Sequence, residues 1–474
     1  MIRRTSAVVL GIGLCLQADT ADGHAFGARY DLPLPLAFYL SAAGLAVAIS
    51  FATAAFFLRS PSPRSVRLRV TVPTPVVRLT QLVLAILGLL FWALIVATAL
   101  LGPPEVTRNF ATIFVWVIWW VGYLLISCLA VQTWSAIDPF RRLSWCLRNA
   151  LRTGWARAPR SLPGLAGLIA PVGLLCLAWI ELVSDYRDDP RSLGVLILTY
   201  TMLTIVMAFV FGPIWFRIAD PLGRLFELLG RLAVLRPHRR GLTVSLPGES
   251  LAAPRRVRVG EPALVCVLIG VVLFDGLSET PAWEDVLNAI SSSQTFRSGL
   301  LFLREQGVDL LKLIQTVGLI STVCLTMAVY YAMSFVARRV ANGDMNTFQV
   351  AAAFAGALLP IAVAYHLSHY TSYLLIAGQL LIPAASDPFA AGWDLFGGAG
   401  HVLDIGIIGA EQVWWIAFVA LIAGHSLSVL IGHRLALRLY QDPRAALRSQ
   451  IPMTVGMVGL TVLSLWILSQ PIIA

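Results

Sequence analysis

The chain has 474 residues, of which 58% are hydrophobic and 13% are charged. Soluble domains carry about 25% charged residues, so the composition excludes a soluble enzyme, a disordered chain and a disulfide-rich scaffold. The net charge of +10 does not indicate a nucleic-acid-binding protein, because the basic residues flank apolar stretches. The composition instead predicts one large domain that lies in a lipid bilayer.

The first 23 residues have the pattern of a secretory signal peptide. A basic start is followed by a short apolar core and by small residues that suit a cleavage site. The core is too short for a membrane span, which needs about 20 apolar residues. Cleavage after Gly23 leaves His24 as the first residue of the mature chain, whereas cleavage after Ala25 removes it. Residues 24–34 then form a short extracytoplasmic segment.

Ten apolar stretches follow within residues 35–474 and predict an all-α bundle of ten transmembrane helices. The stretches lie at 35–58, 79–101, 110–134, 164–184, 193–216, 262–278, 312–336, 349–383, 412–433 and 451–472. The eighth stretch is too long for one upright helix and contains Pro360, so we expect a kink or a break there. Broken helices in membranes usually line a cavity, because the freed backbone groups need partners.

The basic residues predict which loops face the cytoplasm. If the mature chain begins outside, the inside loops hold 26 of the 33 Lys and Arg residues that follow the signal peptide. Basic residues resist translocation, so this bias predicts that both termini of the mature chain lie outside the cytoplasm. The longest inside loop, 217–260, is too short to be an independent domain.

Three Asp-Pro pairs follow apolar stretches and begin at Asp138, Asp220 and Asp442. Asp is a favoured N-cap residue and Pro is a favoured first residue of a helix. Each pair therefore predicts the start of a basic amphipathic helix on the cytoplasmic face. A duplicated functional unit is the alternative, and capping alone is sufficient to explain the pairs.

The strongest candidate site lies in the eighth stretch, where His366 and His369 are three residues apart. Ionisable side chains within apolar spans are costly and are functional candidates by default, and this spacing places both rings on one helix face. The pair can bind a divalent transition metal, zinc or copper, if another helix supplies a further ligand. The alternative is a hydrogen-bonded pair in the bundle core. Tyr365 and Tyr370 flank the histidines and are candidate neighbours of the metal or substrate.

Two further histidines are candidate metal ligands. His425 lies midway along the ninth stretch beside Gly424, which allows close approach of helices; its alternative role is a hydrogen-bonded core histidine. His24 would offer an amine and an imidazole together at the N-terminus, a chelate that suits copper. Asp31 shares this short segment with Arg29, and a salt bridge between them is the simpler explanation of its presence.

The candidate acids are Asp275 and Glu181, which both lie near predicted outer ends of apolar stretches. Either side chain can be a metal ligand or a general base, and the alternative is a partly hydrated residue at the membrane interface. Asp275 is favoured because it follows a long apolar run and precedes a glycine. Of the remaining histidines, His401 lies in a predicted outside loop, and we expect His433 to be solvated at the cytoplasmic end of its helix.

A set of distinctive motifs runs through nearly the whole mature chain. They are His24-Ala25-Phe26-Gly27-Ala28-Arg29-Tyr30-Asp31-Leu32-Pro33-Leu34-Pro35, Phe274-Asp275-Gly276-Leu277-Ser278, Ala364-Tyr365-His366-Leu367-Ser368-His369-Tyr370, Gly378-Gln379, Ser386-Asp387-Pro388-Phe389, Gly392-Trp393-Asp394-Leu395-Phe396-Gly397, Val413-Trp414-Trp415, Gly424-His425 and Leu468-Ser469-Gln470-Pro471. In these motifs the chain resembles the bacterial membrane-bound fenitrothion hydrolase family.

The resemblance implies hydrolysis of neutral, lipophilic organophosphorus triesters to a nitrophenol and a dialkyl thiophosphate. On this expectation, a metal held by His366, His369 and His425 would activate water, and Asp275 would orient that water or accept its proton. Gln379, which lies in one of the shared motifs, is a candidate substrate contact.

Two other classes of function remain open from the sequence. A broken helix and histidines within the spans also suit a carrier of copper or of a small molecule. Alternatively, the chain is a non-catalytic subunit of a membrane complex, in which the histidines stabilise helix contacts. The expected partners are therefore the lipid bilayer, a lipophilic small molecule and a second membrane subunit in a homo- or hetero-oligomer, and no nucleic acid.

Overall fold

The computed structural model describes residues 22–25, 28–59, 67–151, 164–238, 240–253 and 258–471, with side chains from residue 32 onward in these ranges. The predicted signal peptide lies almost entirely outside these ranges. Within them, ten helices are long and apolar enough to cross a membrane. The protein is therefore an all-α, multi-pass membrane protein, which confirms the fold class predicted from composition and hydropathy.

The spanning helices are numbered α1 to α10 in chain order. They are α1 (Leu36–Phe57), α2 (Thr74–Leu101), α3 (Phe110–Leu129), α4 (Gly164–Leu182), α5 (Pro190–Phe211), α6 (Glu261–Ser278), α7 (Leu310–Ala341), α8 (Thr347–Ser386), α9 (Ala410–Leu439) and α10 (Pro443–Ser469). Because consecutive spans alternate in direction, α1 begins and α10 ends at the same face of the bundle, which we call the terminal face. The even-numbered helices all end at this face.

Shorter helices and five strands connect the spans. The helices are Trp134–Ile137, Pro139–Ala150, Ile214–Ile218, Pro221–Leu229, Pro281–Ser292 and Gln294–Glu305, with single 3₁₀ turns at Asp185–Asp188 and Ile405–Ile407. Strands β1 (Asp22–Ala25) and β2 (Ala28–Asp31) form an antiparallel hairpin. Strands β3 (Arg67–Thr71), β4 (Leu235–His238) and β5 (Gly241–Ser245) form an antiparallel sheet in the order β3-β5-β4, which joins the segment between α1 and α2 to the segment between α5 and α6.

Helix α8 is the central element of the bundle, since 83% of its most apolar stretch is buried, against 22% for α2. Its main neighbours are α9, α3 and α6. At the contact with α9, a Cβ atom added to Gly424 would lie 2.4 Å from the Cβ of Ala364 and 2.7 Å from the carbonyl oxygen of Pro360. The predicted close approach of helices at Gly424 is therefore confirmed.

Helix α8 is interrupted twice, by 3₁₀ turns at Ala355–Leu358 and Gly378–Leu380. The first turn ends two residues before Pro360, because proline lacks an N–H and its ring clashes with the preceding helical turn. The predicted break in the eighth span is therefore confirmed. The longest uninterrupted part, Leu359–Ala377, carries both histidines of the candidate site.

All three Asp-Pro pairs start helices, as predicted. The side chains of Asp138, Asp220 and Asp442 each accept hydrogen bonds from backbone N–H groups of the following first turn. The predicted surface position is wrong for two of them. Asp442 begins the spanning helix α10. The helix Pro221–Leu229 after Asp220 is largely buried, because it packs against α4.

Candidate metal centre

The candidate site forms where the last turn of α6 meets the middle of α8. Asp275 is buried near the end of α6, and its Oδ2 atom lies 3.0 Å from Nε2 of His369 on α8. The hydroxyl of Tyr370 donates a hydrogen bond to the same carboxylate oxygen. Three residues selected from the sequence, Asp275, His369 and Tyr370, are thus in direct contact at the half of the bundle nearer the terminal face.

Glu279 adds a third potential ligand to Asp275 and His369. Among the residues that the structure describes, ligand atoms of these three side chains lie within 4.8 Å of one another. Two ligands of one zinc ion are separated by at most about 4.4 Å, since each lies about 2.0–2.2 Å from the metal. Small side-chain adjustments therefore suffice for one cation to contact all three, and we call these residues the three-ligand group.

Glu279 was not predicted from the sequence, although its spacing from Asp275 indicates that it belongs with this residue. Glu279 follows Asp275 by four residues, a spacing that places two side chains on the same face of a helix. Glu279 lies just beyond the end of α6. Its burial raises the pKa of the Glu279 carboxyl above the ordinary value, while the nearby His369 and Arg187 act in the opposite direction.

His366 and Tyr365 lie beside the three-ligand group but do not belong to it. The His366 ring is 4.6 Å from the Tyr370 ring, and the Tyr365 ring stacks 6.1 Å from His369. Among the described residues, neither His366 Nε2 nor the Tyr365 hydroxyl has a hydrogen-bond partner, although both atoms are buried. Buried polar atoms are normally paired with protein, water or ligand, so these two atoms are candidates for contact with a bound molecule.

His425 is fully buried on α9, and its Nδ1 atom is 2.8 Å from the carbonyl oxygen of Leu421 in the preceding turn. It is not among the potential ligands that the structure brings together with His369. The sequence suggested four histidines as ligands, and the structure describes the side chains of three of them: His366, His369 and His425. Of these three, the three-ligand group contains His369 alone. Two carboxylates take the other positions, one of them the Asp275 that was expected to act on water.

Two other candidates do not belong to the three-ligand group. Glu181, at the end of α4, interacts electrostatically with Asp275 and has Trp120 as a hydrogen-bonding neighbour. Gln379 donates to the carbonyl oxygen of Asp404 and accepts from its N–H, at 2.9 and 3.0 Å. Gln379 therefore fastens α8 to the segment before α9.

The prediction for His433 was wrong. Its side chain is buried, with Nδ1 2.9 Å from the Gln450 amide oxygen and Nε2 2.8 Å from the Leu58 carbonyl oxygen. Packing of α9 against α1 and α10 covers this helix end, which hydropathy alone places at the surface. The backbones of His24 and Asp31 lie in the β1–β2 hairpin, and their side chains lie outside the described part of the chain.

The donor atoms indicate which metals the three-ligand group suits. One imidazole nitrogen and two carboxylates suit zinc and harder divalent ions, whereas copper(I) prefers the sulfur of cysteine and methionine. The three-ligand group contains no sulfur atom. Zinc therefore fits these residues better than copper(I) does, whereas copper(II) also accepts nitrogen and oxygen ligands.

Comparisons with known proteins identify no relative. No protein-family model matches the chain, no curated protein matches its sequence, and no solved structure matches it.

Proposed function

We propose that the protein is a membrane-embedded, zinc-dependent hydrolase of lipophilic organophosphorus triesters. The proposal rests on the observation that potential ligand atoms of Asp275, Glu279 and His369 lie close together where the end of α6 meets α8. The resemblance in sequence motifs supplies the substrate class. The apolar surroundings suit a neutral substrate, which partitions into the bilayer and reaches the site between helices.

The chain's own residues have distinct roles in this proposal. When bound, zinc activates water and polarises the phosphoryl or thiophosphoryl group. The hydrogen bond from Tyr370 fixes Asp275, and the unpaired His366 and Tyr365 atoms are available to bind the substrate. Glu181 is the candidate acceptor of the water proton, since it neighbours Asp275 and is not in the three-ligand group.

The net reaction is a displacement at phosphorus. The water oxygen forms a bond to phosphorus, and the bond between phosphorus and the aryl oxygen breaks. The aryloxide leaves with the electron pair of that bond, and the water proton passes to a carboxylate. A nitrophenolate is a stable anion, so its departure needs no strong general acid.

The predicted signal peptide and the distribution of basic residues also indicate where the protein lies in the cell. We propose that a signal peptide of about 23 residues is removed and that the mature protein lies in a bacterial inner membrane with both termini outside. The three-ligand group, near the terminal face, would then open toward the outside. We also propose that the protein forms a homo-oligomer, or a hetero-oligomer with a related membrane subunit.

The test is to measure metal content and turnover on the same purified protein. Full-length protein in lipid nanodiscs is assayed for zinc and for release of nitrophenol from a dialkyl nitrophenyl thiophosphate. We expect His369→Ala and Glu279→Gln to lose zinc and to lower kcat/KM at least about 100-fold. The exposed residues His401 and Glu284 provide matched controls, and His401→Ala and Glu284→Gln should retain both properties.

Each alternative function gives a different result. Bound metal without turnover favours a carrier, and neither metal nor turnover favours a non-catalytic subunit. Full zinc content and activity in His369→Ala would contradict the three-ligand group itself.

A further inference from the structure

A large cavity lies between α2, α3 and α5, separate from the three-ligand group. Its volume is about 690 Å³, which is within the range of about 300–1,000 Å³ found for small-molecule sites. The lining is dominated by aromatic and aliphatic side chains. Aromatic members include Phe91, Trp92, Trp116, Trp119, Trp120 and Trp134.

The shape of α3 produces part of this cavity. Residues Ile113–Tyr123 form a π-helix, which is rare and is frequently found at functional sites. Gly122 lies on this π-helical segment and lines the cavity without a side chain to fill it. A Cβ atom at Gly122 would lie 3.3 Å from Leu374 of α8.

The lining specifies the chemistry of a ligand, because it contains no charged side chain. Three of its polar groups already have partners. The Trp92 indole donates to Thr201 at 3.2 Å, and the Tyr200 hydroxyl donates to Asp220. The Tyr123 hydroxyl forms a hydrogen bond with Thr133 at 3.0 Å. The buried indole N–H groups of Trp116 and Trp134 have no partner among the described residues. The lining therefore suits a neutral aromatic molecule that carries at least one hydrogen-bond acceptor.

The cavity is not fully closed. Two of its lining residues, Phe91 and Ile126, are 41% and 54% exposed, and both lie within the membrane-spanning helices α2 and α3. Phe91 of α2 stacks on Phe114 of α3 with ring centroids 5.1 Å apart, which joins the two helices at this point. A molecule dissolved in the bilayer can thus reach the cavity without passing through water.

Several residues that line the cavity lie next to residues of the candidate metal centre. Trp120 lines the cavity and is also the hydrogen-bonding neighbour of Glu181. Leu177 precedes Glu181 by one helical turn, and Leu374 follows Tyr370 by one turn; both line the cavity. A ligand in the cavity therefore lies against the same segments of α4 and α8 that carry the candidate catalytic side chains.

We infer that this cavity binds the neutral aromatic group of a membrane-dissolved ligand and holds it beside the candidate metal centre. That this ligand is the substrate rests on the proposed function, whereas binding itself does not. In the full reaction, the aryl group would occupy the cavity and the phosphorus centre would lie toward α6 and α8.

Binding can be measured without any hydrolysis. 4-Nitrotoluene is neutral, has no ester bond and quenches tryptophan fluorescence, so it is titrated into wild-type protein in nanodiscs. We expect saturable quenching above the linear background from lipid. Leu196→Phe and Ile118→Phe each place a larger ring in the cavity and should raise the Kd about tenfold or more. Val195 is the adjacent residue on α5 and is 57% exposed, so Val195→Phe should bind as wild type does.

The outcomes separate this inference from the proposed function. Linear quenching alone in the wild type, or unchanged Kd values in both cavity variants, would overturn the inference. Asp275→Asn should retain saturable binding, since Asp275 does not line the cavity. Wild-type protein that binds 4-nitrotoluene but releases no nitrophenol from the triester would contradict the proposed function and support the cavity as a binding site.

Discussion

At the residue scale, one carboxylate oxygen organises the candidate metal centre. Oδ2 of Asp275 contacts both the His369 imidazole and the Tyr370 hydroxyl. The two α8 residues are consecutive, so α8 needs only one point of contact with α6 to position both. The neighbouring Gly276 supports this contact, because a Cβ atom there would lie 2.3 Å from the Tyr365 hydroxyl.

Removing the hydroxyl of Tyr370 should weaken metal binding without removing a ligand. Tyr370→Phe loses the hydrogen bond to Asp275, and loss of such supporting groups typically costs about 10–100-fold in metal affinity. We expect a rise of this size in the zinc Kd, measured by competition with a chelating dye. Tyr373→Phe is the control, since its ring lies 6.4 Å from Tyr370. Equal zinc affinity in both variants would mean that the Tyr370 hydroxyl does not support zinc binding by Asp275.

Individual residues of the site could be predicted from the sequence, but the contacts between them could not. His369 and Asp275 were identifiable because charged groups are rare in apolar spans. The contact between these two residues was not identifiable from the sequence, because they are 94 positions apart in the chain and no local pattern links them. His433 illustrates the same limit, since its burial depends on Gln450 and Leu58 from other helices.

At the scale of helices, glycine at the contact between α8 and α9 controls how closely they pack. Gly424→Ala should destabilise the protein by about 1–3 kcal/mol, because the added methyl group would overlap Ala364 and the Pro360 carbonyl. The measurement is the Tm in nanodiscs. Gly459→Ala is the matched control, as no atom lies within 4 Å of its added Cβ. Equal Tm values for the two variants would contradict close packing of α8 against α9 at Gly424.

The helix-capping residue Asp138 should make stability depend on pH. Burial, together with repulsion from Asp220, raises the pKa of Asp138 to about 7 from an ordinary value of 3.8. The folded protein therefore keeps a proton that the unfolded chain has lost, and the resulting stabilisation, complete below about pH 4, disappears as the pH rises through about 7. We expect the wild-type Tm to fall between about pH 4 and pH 7.

Asp138→Asn should reduce this fall in Tm, because asparagine retains the capping function but does not ionise. Asp442→Asn alters an exposed helix cap and should leave the pH dependence as in the wild type. If Asp138→Asn shows the same fall in Tm as the wild type, ionisation of Asp138 is not its cause.

At the scale of the whole molecule, the distribution of basic residues predicts one orientation. Of the 33 basic residues after the predicted signal peptide, 26 lie in the segments or adjoining helix ends that are predicted to share one side of the membrane, and that side is expected to face the cytoplasm. A C-terminal alkaline phosphatase fusion, which is active only outside the cytoplasm, should therefore be active. A C-terminal green fluorescent protein fusion should be dark, and the reverse result would contradict the orientation.

The sequence by itself determined that ten helices form and where they lie along the chain. It did so because hydropathy, proline and helix-capping residues act over a few consecutive positions. Only the tertiary structure decided which ionisable groups meet, that Glu279 joins Asp275 and His369, and that α2, α3 and α5 leave an apolar cavity. These features depend on how helices distant in the chain pack against one another, and inside a bilayer most helix surfaces are similarly apolar, so hydropathy does not encode their pairing.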